Sequence, residues 1–338
     1  MNVKAALFLI FLPTSLGAQG FAGLGQGGDG FALPQPNPTF EFPADHGAHG
    51  DYRIEWWYLT ATLQDADGTR YGIQWTLFRS ALSPEGPQVW MGHFGLTTPN
   101  AHHTGEKLAR GGVGQAGVDV LPFAAWIDDW SLAGADFDTL RLRASTPAAG
   151  YDLNLDANGP LVFHGDGGFS VKSPSGQASY YYSQPFYDVS GTLDLPGGPV
   201  EVTGKGWLDR EWSSQPLEDD QEGWDWFSLH FDTGDRLMAF RLRGAEAFTY
   251  ASWIAEDGTL TPFPDGAISV APQRVSSVAG RSVPTTWRLA LPAQDVDVTV
   301  TALNPQSWQD TLFPYWEGPV TATGTHTGEG YLEMTGYE

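Results

Sequence analysis

Apolar and polar residues alternate with a period of two over many short stretches. Few segments carry apolar residues at helical spacing for more than two turns. Residues 54–63, a turn at Asp65-Ala66-Asp67-Gly68 and residues 71–79 predict a hairpin, and 89–97 predicts another strand. The series continues through 140–144, 151–155, 169–172, 180–182, 188–195 and 200–208, with Gly- and Asp-rich turns between the runs. After Gly223 the rhythm starts again.

That restart is an internal repeat. Glu55-Trp56-Trp57-Tyr58-Leu59 followed by Trp75-Thr76-Leu77-Phe78-Arg79 is echoed by Trp224-Asp225-Trp226-Phe227-Ser228-Leu229 followed by Phe240-Arg241-Leu242-Arg243. The closing hairpins match as well: Gly206-Trp207-Leu208-Asp209 ends the first unit and Gly330-Tyr331-Leu332-Glu333 the second. An all-β chain of two tandem antiparallel barrels explains this with little else, because closure hides the edges of a long meander. Pro216 and Glu218-Asp219-Asp220 break the pattern between Ser213 and Gly223, which predicts one barrel over 39–215 and a second over 216–338.

Composition narrows the setting. The chain has 338 residues and no cysteine, which removes disulfides, thiolate metal sites, Cys nucleophiles and a lipid-bearing cysteine. A net charge of −23 disfavours nucleic acid as a partner. The start, MNVKAALFLIFLPTSLGAQG, has a positive Lys4, a short apolar run and small residues at Ser15, Gly17 and Ala18, the pattern of a secretory signal over 1–18. A Gly/Pro-rich, poorly ordered lead-in is expected over 19–38. The expectation is a periplasmic or secreted protein, with transient contact to membrane lipids or an exporter.

Alternation also sorts the side chains that share a face. Glu55, Trp57 and Leu59 lie opposite Trp56, Tyr58 and Thr60; Trp207, Asp209 and Glu211 lie opposite Leu208, Arg210 and Trp212; Trp224, Trp226, Ser228 and His230 lie opposite Asp225, Phe227 and Leu229. Acids interleaved with indoles predict an aromatic pocket with a few ionisable groups. A carboxyl among apolar rings keeps its proton and can protonate an alkene, and ring faces stabilise the cation that forms. The competing reading pairs Glu55, Asp209 and Glu211 with Arg53, Arg79 and Arg210 as pins for the barrel ends. His93, inside Trp90-Met91-Gly92-His93-Phe94, is the histidine best placed as a base or hydrogen-bond donor. His46 with His49, and His102 with His103, lack a dependable metal-ligand spacing. No Gly-x-Ser-x-Gly elbow, phosphate loop or dinucleotide fingerprint is present.

Tyr52-Arg53-Ile54-Glu55-Trp56-Trp57-Tyr58-Leu59-Thr60, Gln74-Trp75-Thr76-Leu77-Phe78-Arg79, Gly92-His93-Phe94, Trp207-Leu208-Asp209-Arg210-Glu211-Trp212 and Gly223-Trp224-Asp225-Trp226-Phe227 resemble the blocks of the carotenoid 1,2-hydratase (hydroxyneurosporene synthase) family, over about residues 40–338. The resemblance implies tandem lipocalin-like barrels, a ligand site near the junction or in the first barrel, and acid-catalysed addition of water to an isoprenoid double bond without a cofactor. It makes Asp209 the acid, with Glu55 and His93 in support and Trp57, Trp75, Trp207, Trp226 and Tyr58 as binding walls. The alternative is a non-catalytic carrier for an apolar, lipid-like molecule.

Overall fold

The computed structural model describes residues 29–215, 217 and 220–337. The expected signal segment and residues 19–28 of the lead-in lie outside the described residues. Residues 29–38 are tethered: Ala32 exchanges backbone and side-chain bonds with Asp51 and Ser214, and Gln35 N donates to Tyr180 OH.

Regular structure is β, in two antiparallel sheets, with no α-helix among the described residues. The first sheet is built from β1 (Ile54–Gln64), β2 (Arg70–Ala81), β3 (Gln88–Thr97), β4 (His102–Arg110), β5 (Ala116–Val120), β6 (Phe123–Ile127), β7 (Trp130–Gly134), β8 (Thr139–Ser145), β9 (Gly150–Ala157), β10 (Val162–Phe163), β11 (Phe169–Val171), β12 (Ala178–Leu195) and β13 (Gly198–Ser213). Its order is β4-β3-β2-β1-β13-β12-β9-β8-β7-β6-β5, curled so that β6 lies over β2, β3 and β4. The second sheet comprises β14 (Gly223–Phe231), β15 (Arg236–Arg243), β16 (Phe248–Ile254), β17 (Leu260–Phe263), β18 (Ser269–Val278), β19 (Arg281–Leu291), β20 (Val296–Ala302), β21 (Trp308–Gln309), β22 (Tyr315–Gly324) and β23 (Gly328–Met334). It runs β17-β16-β15-β14-β23-β22-β20-β19-β18. These are the tandem lipocalin-like barrels expected from the repeat. The predicted first hairpin closes as expected: Asp65 Oδ1 accepts from Asp67 N and Thr69 N, and Gly68 supplies a φ of 83°.

Three apolar layers result. One fills the first barrel, with Trp57, Trp75 and Leu77 facing Trp90, Phe94 and Leu208. One fills the second, around Phe227, Leu289, Trp287 and Leu332. The third lies between the barrels, where Tyr58, Tyr181 and Trp207 meet Trp226, Met238 and Phe240. Strands β1 and β14, and β13 from Gly206 onward, therefore bury both faces, and their side chains alternate between a barrel interior and this shared layer.

A bulge steers β12 toward the shared layer. Its register shifts between Gln184 and Tyr187. Before the shift the even residue Tyr182 points into the first barrel; after it the odd residues Tyr187, Val189 and Leu193 do so. Ser179, Tyr181 and Ser183 are thereby turned outward. Pro185 O, inside the bulge, accepts from His230 Nε2 at 3.1 Å and Arg236 Nε at 2.8 Å, clamping the second barrel onto the first.

Candidate active site

A cavity of about 90 Å³ opens in the layer between the barrels. That is several times the roughly 10–15 Å³ one water needs, so a guest larger than water fits. The first barrel contributes Trp56 and Tyr58 from β1 and Asp209 and Glu211 from β13. The second contributes Trp224 and Trp226 from β14, Phe240 and Leu242 from β15, and Glu333 from β23. The two halves meet with matching register: Tyr58 lies opposite Asp209, and Trp226 opposite Glu333. The internal repeat has thus placed one carboxyl from each barrel on the same cavity. Each barrel interior holds a core of its own side chains, and the cavity lies on the outer faces of both, at the junction, one of the two places the family resemblance implied.

Asp209 is bound by three donors. Trp207 Nε1 reaches Oδ1 at 2.6 Å, Tyr181 OH reaches Oδ2 at 2.9 Å, and Ser183 Oγ also donates to Oδ1. Trp226 Nε1 in turn donates to Tyr181 OH at 3.1 Å. Burial pushes the Asp209 carboxyl up to about 7, outweighing these donors, and Glu211 adds to the push. Glu333 accepts from Trp224 Nε1 at 2.6 Å and is likewise pushed up to about 7, by burial first and by the charge of Asp209 after the bonds to Trp224 and Tyr58 are set against it. Deeper in the layer, Glu317 accepts from Tyr58 OH, and burial with Glu333 nearby raises its carboxyl far above the carboxylate range. None of the three forms an ion pair with a cation among the described residues; the lysine that lines the cavity, Lys172, pairs with Glu211. Because ionising one carboxyl holds its neighbour in the protonated form, Asp209 and Glu333 together present an acid and a base near neutral pH.

The cavity's positive group sits to one side. Lys172 Nζ pairs with Glu211 at 2.8 Å and lies over the rings of Phe240 at 4.5 Å and Tyr181 at 4.8 Å. Behind Asp209, His164 Nε2 lies 2.7 Å from Ser183 Oγ and its Nδ1 lies 2.9 Å from Ser252 Oγ. Burial and the charge of Lys172 keep His164 neutral.

Of the residues singled out in the sequence, Asp209, Tyr58 and Trp226 line the cavity, and Trp207 touches it through its bond to Asp209. Glu55, His93, Trp57 and Trp75 do not. Trp57 and Trp75 are core residues of the first barrel. Glu55 points into the mouth of that barrel, where it bonds Arg79, Arg210 at 3.2 Å and His49 Nδ1 at 3.0 Å. Burial opposes its charge, yet these partners hold its carboxyl well below the usual range. The segment carrying His46 and His49 plugs this mouth: His46 stacks on Phe137 at 3.9 Å and His49 on Trp212 at 3.8 Å. His93 lies on the outer face, bonded to Tyr315 and Glu106.

Glu333, Glu317, Tyr181, Ser183 and Lys172 escaped the sequence reading. The repeat carried a signal for one of them, since Gly330-Tyr331-Leu332-Glu333 aligned Glu333 with Asp209. Tyr181 and Ser183 depend on the bulge parity, which composition does not reveal.

The profile of the AttH-like family matches residues 33–337. A crystal structure of an AttH from Nitrosomonas europaea is 35% identical, covers 91% of this chain and 100% of its own, and superposes with a TM-score of 0.83. Kievitone hydratase from Nectria haematococca shares the fold at 15% identity, with 91% and 98% of the two chains covered and a TM-score of 0.66. CghA, solved with Sch210972, does so at 14% identity, with 92% and 97% covered and a TM-score of 0.55. No curated protein sequence matches the chain.

Proposed function

We propose that this chain, which belongs to the AttH-like family, adds water to the carbon–carbon double bond of an apolar, isoprenoid-like small molecule held between its barrels. One observation carries the reading. Asp209 presents a buried carboxyl that is in no ion pair to a cavity walled by Trp56, Trp226 and Phe240. Such a carboxyl keeps a proton near neutral pH and stands among ring faces that favour a cation.

In the forward direction the π pair of the alkene takes the Asp209 proton, forming a C–H bond and a carbocation. The indoles of Trp56 and Trp226 stabilise that charge. Water bonds to the cationic carbon, and the Glu333 carboxylate removes its extra proton. The product is an alcohol, Asp209 is left ionised and Glu333 protonated. Kievitone hydratase shares this fold and is named for a hydration, which supports the reaction class. Likeness to the carotenoid 1,2-hydratase blocks supports an isoprenoid guest. The residue 1–18 pattern supports export to the periplasm, and the mass of the mature N-terminus tests it. No helix among the described residues is long and apolar enough to cross a membrane.

The test is incubation with acyclic isoprenoid alkenes in isotopically labelled water, read by mass spectrometry. Label must enter the product with wild-type protein and not with Asp209→Asn, while both retain the alkene on gel filtration. Retention without labelled product in the wild type would leave a carrier and end the hydratase reading.

A further inference from the structure

The walls of the cavity differ in kind. Trp56, Trp224, Trp226, Phe240 and Leu242 make one side aromatic and aliphatic. The other side runs along β13, where Asp209 and Glu211 are successive residues of one face, with Ser179 and Lys172 beside Glu211. We propose that Glu211 is a binding site for a hydroxyl: its Oε2 accepts a hydrogen bond from an O–H of the guest, whose class is therefore an unsaturated isoprenoid alcohol and not a hydrocarbon. The double bond in that statement rests on the hydratase reading; the hydroxyl site does not.

The carboxylate is fixed in place and only one of its oxygens is used. Oε1 accepts from Ser179 Oγ and from Lys172 Nζ at 2.8 Å. Lys172 is itself held, since its carbonyl accepts from Gln221 Nε2 at 3.1 Å and its backbone N–H donates to Gln177 O at 2.7 Å. Oε2 bonds no described residue and is not sealed away from the cavity. A carboxylate oxygen that has lost water without gaining a donor is costly, and a guest O–H supplies the missing bond.

The neighbouring groups are already engaged. Ser213 Oγ donates to Ala178 O and accepts from Gln215 N. Tyr58 gives its proton to Glu317 and Tyr181 gives its own to Asp209. The Lys172 ammonium faces Glu211 and the rings of Phe240 and Tyr181. The wall thus asks for a donor and offers little to a carbonyl. It also disfavours an anion, because Asp209, Glu211 and Glu333 line the cavity and its lysine is paired. An ammonium would bring a positive charge close to the carbocation, which a hydroxyl does not. Residues two apart on a strand stand about 7 Å apart, so the hydroxyl lies about that far along β13 from the acid, with the apolar part of the guest against the indoles.

Saturated probes, which cannot be hydrated, test the site: tetrahydrogeraniol, and the fluoride in which fluorine replaces its hydroxyl. The two are close in size, and the fluoride donates no hydrogen bond. Quenching of tryptophan fluorescence on the full chain gives their dissociation constants. The fluoride is the less hydrated of the two, so an apolar cavity alone would favour it. With Glu211 as acceptor the alcohol must bind at least about tenfold more tightly. In Glu211→Gln the amide oxygen stays with Ser179 and Lys172 and the NH2 takes the place of Oε2, so the preference must fall below about twofold. Asp209→Asn and Glu333→Gln must keep the preference, which assigns the acceptor. Infrared difference spectra of the wild type need no variant: the alcohol must shift a carboxylate stretching band, and the fluoride must not. Equal affinities in the wild type, a preference that survives Glu211→Gln or is lost in Asp209→Asn or Glu333→Gln, or an unmoved carboxylate band would overturn the site. Nothing is turned over in these titrations, so a failure here and a failure of the labelling experiment are told apart.

Discussion

Glu55 and Asp209 sit on the paired strands β1 and β13, both are buried, and they behave in opposite ways. Glu55 points into the first barrel and is met by Arg79, Arg210 and His49, which keep it charged. Asp209 points out of it, toward the second barrel, and is met by hydroxyls and an indole, which leave burial in command. Depth alone therefore does not decide what a carboxyl does. The partner on its own face does, and alternation along one strand gives the two acids different partners. The first is an anchor for the plug over the barrel mouth; the second is free to exchange a proton.

The largest expected break of this contrast is Asp209→Asn. The amide oxygen can still accept from Trp207 while its NH2 faces Tyr181 OH as a donor, and the transferable proton is lost, so turnover should fall by about a thousandfold while uptake persists; labelled-water incorporation measures it. Next is Glu55→Gln. It leaves two buried guanidiniums without their anion, and denaturant unfolding should show a loss of about 3–5 kcal/mol with the cavity's ligand uptake retained.

Stability against pH sharpens the contrast further, because the signs oppose. Asp209 and Glu333 have folded values of about 7, above their unfolded 3.8 and 4.5, so the folded state favours the protonated carboxyl. Their cost is absent below the unfolded values, grows as pH rises toward about 7 and then levels off. It reaches a few kcal/mol for each carboxyl, since each tenfold gain in proton affinity on folding is worth about 1.4 kcal/mol. Glu55 is depressed, so its stabilisation is full above its unfolded 4.5 and is lost as pH falls through the acid range. Asp209→Asn should flatten the neutral limb of the profile and Glu55→Gln the acid limb. The smallest effect belongs to exposed pairs: breaking Arg141–Asp152 with Arg141→Gln should leave the unfolding midpoint unmoved.

Much of the fold was open to reading from pattern. The hairpin of β1 and β2, the strand β3 and the restart at Gly223 follow from alternation and turn residues. Face assignments held as well: Glu55 with Trp57, and Trp207 with Asp209, do share faces. Which face looks inward was not legible. In β1, and in β13 from Gly206 onward, both faces are buried, so the pattern there lacks the polar side that marks solvent. An outer face that docks on a second barrel has the composition of a core, so acids set among aromatics mark a pocket without telling on which side of the sheet it lies. Predicted runs at 180–182 and 188–195 are one strand, β12, because the bulge at Gln184 bends it without ending it. Glu317 and His93 meet Tyr58 and Tyr315 only through the docking of two separate sheets, and no spacing along the chain encodes that.

The bulge at Gln184 is a small irregularity with a long reach. Because guest room lies where two separately cored bodies abut, selection can widen or narrow it by re-angling one body against the other, with Pro185 as the fulcrum. Folding competence and the shape of the cavity are then set by different sets of residues, and one can change while the hydrophobic interiors stay as they are.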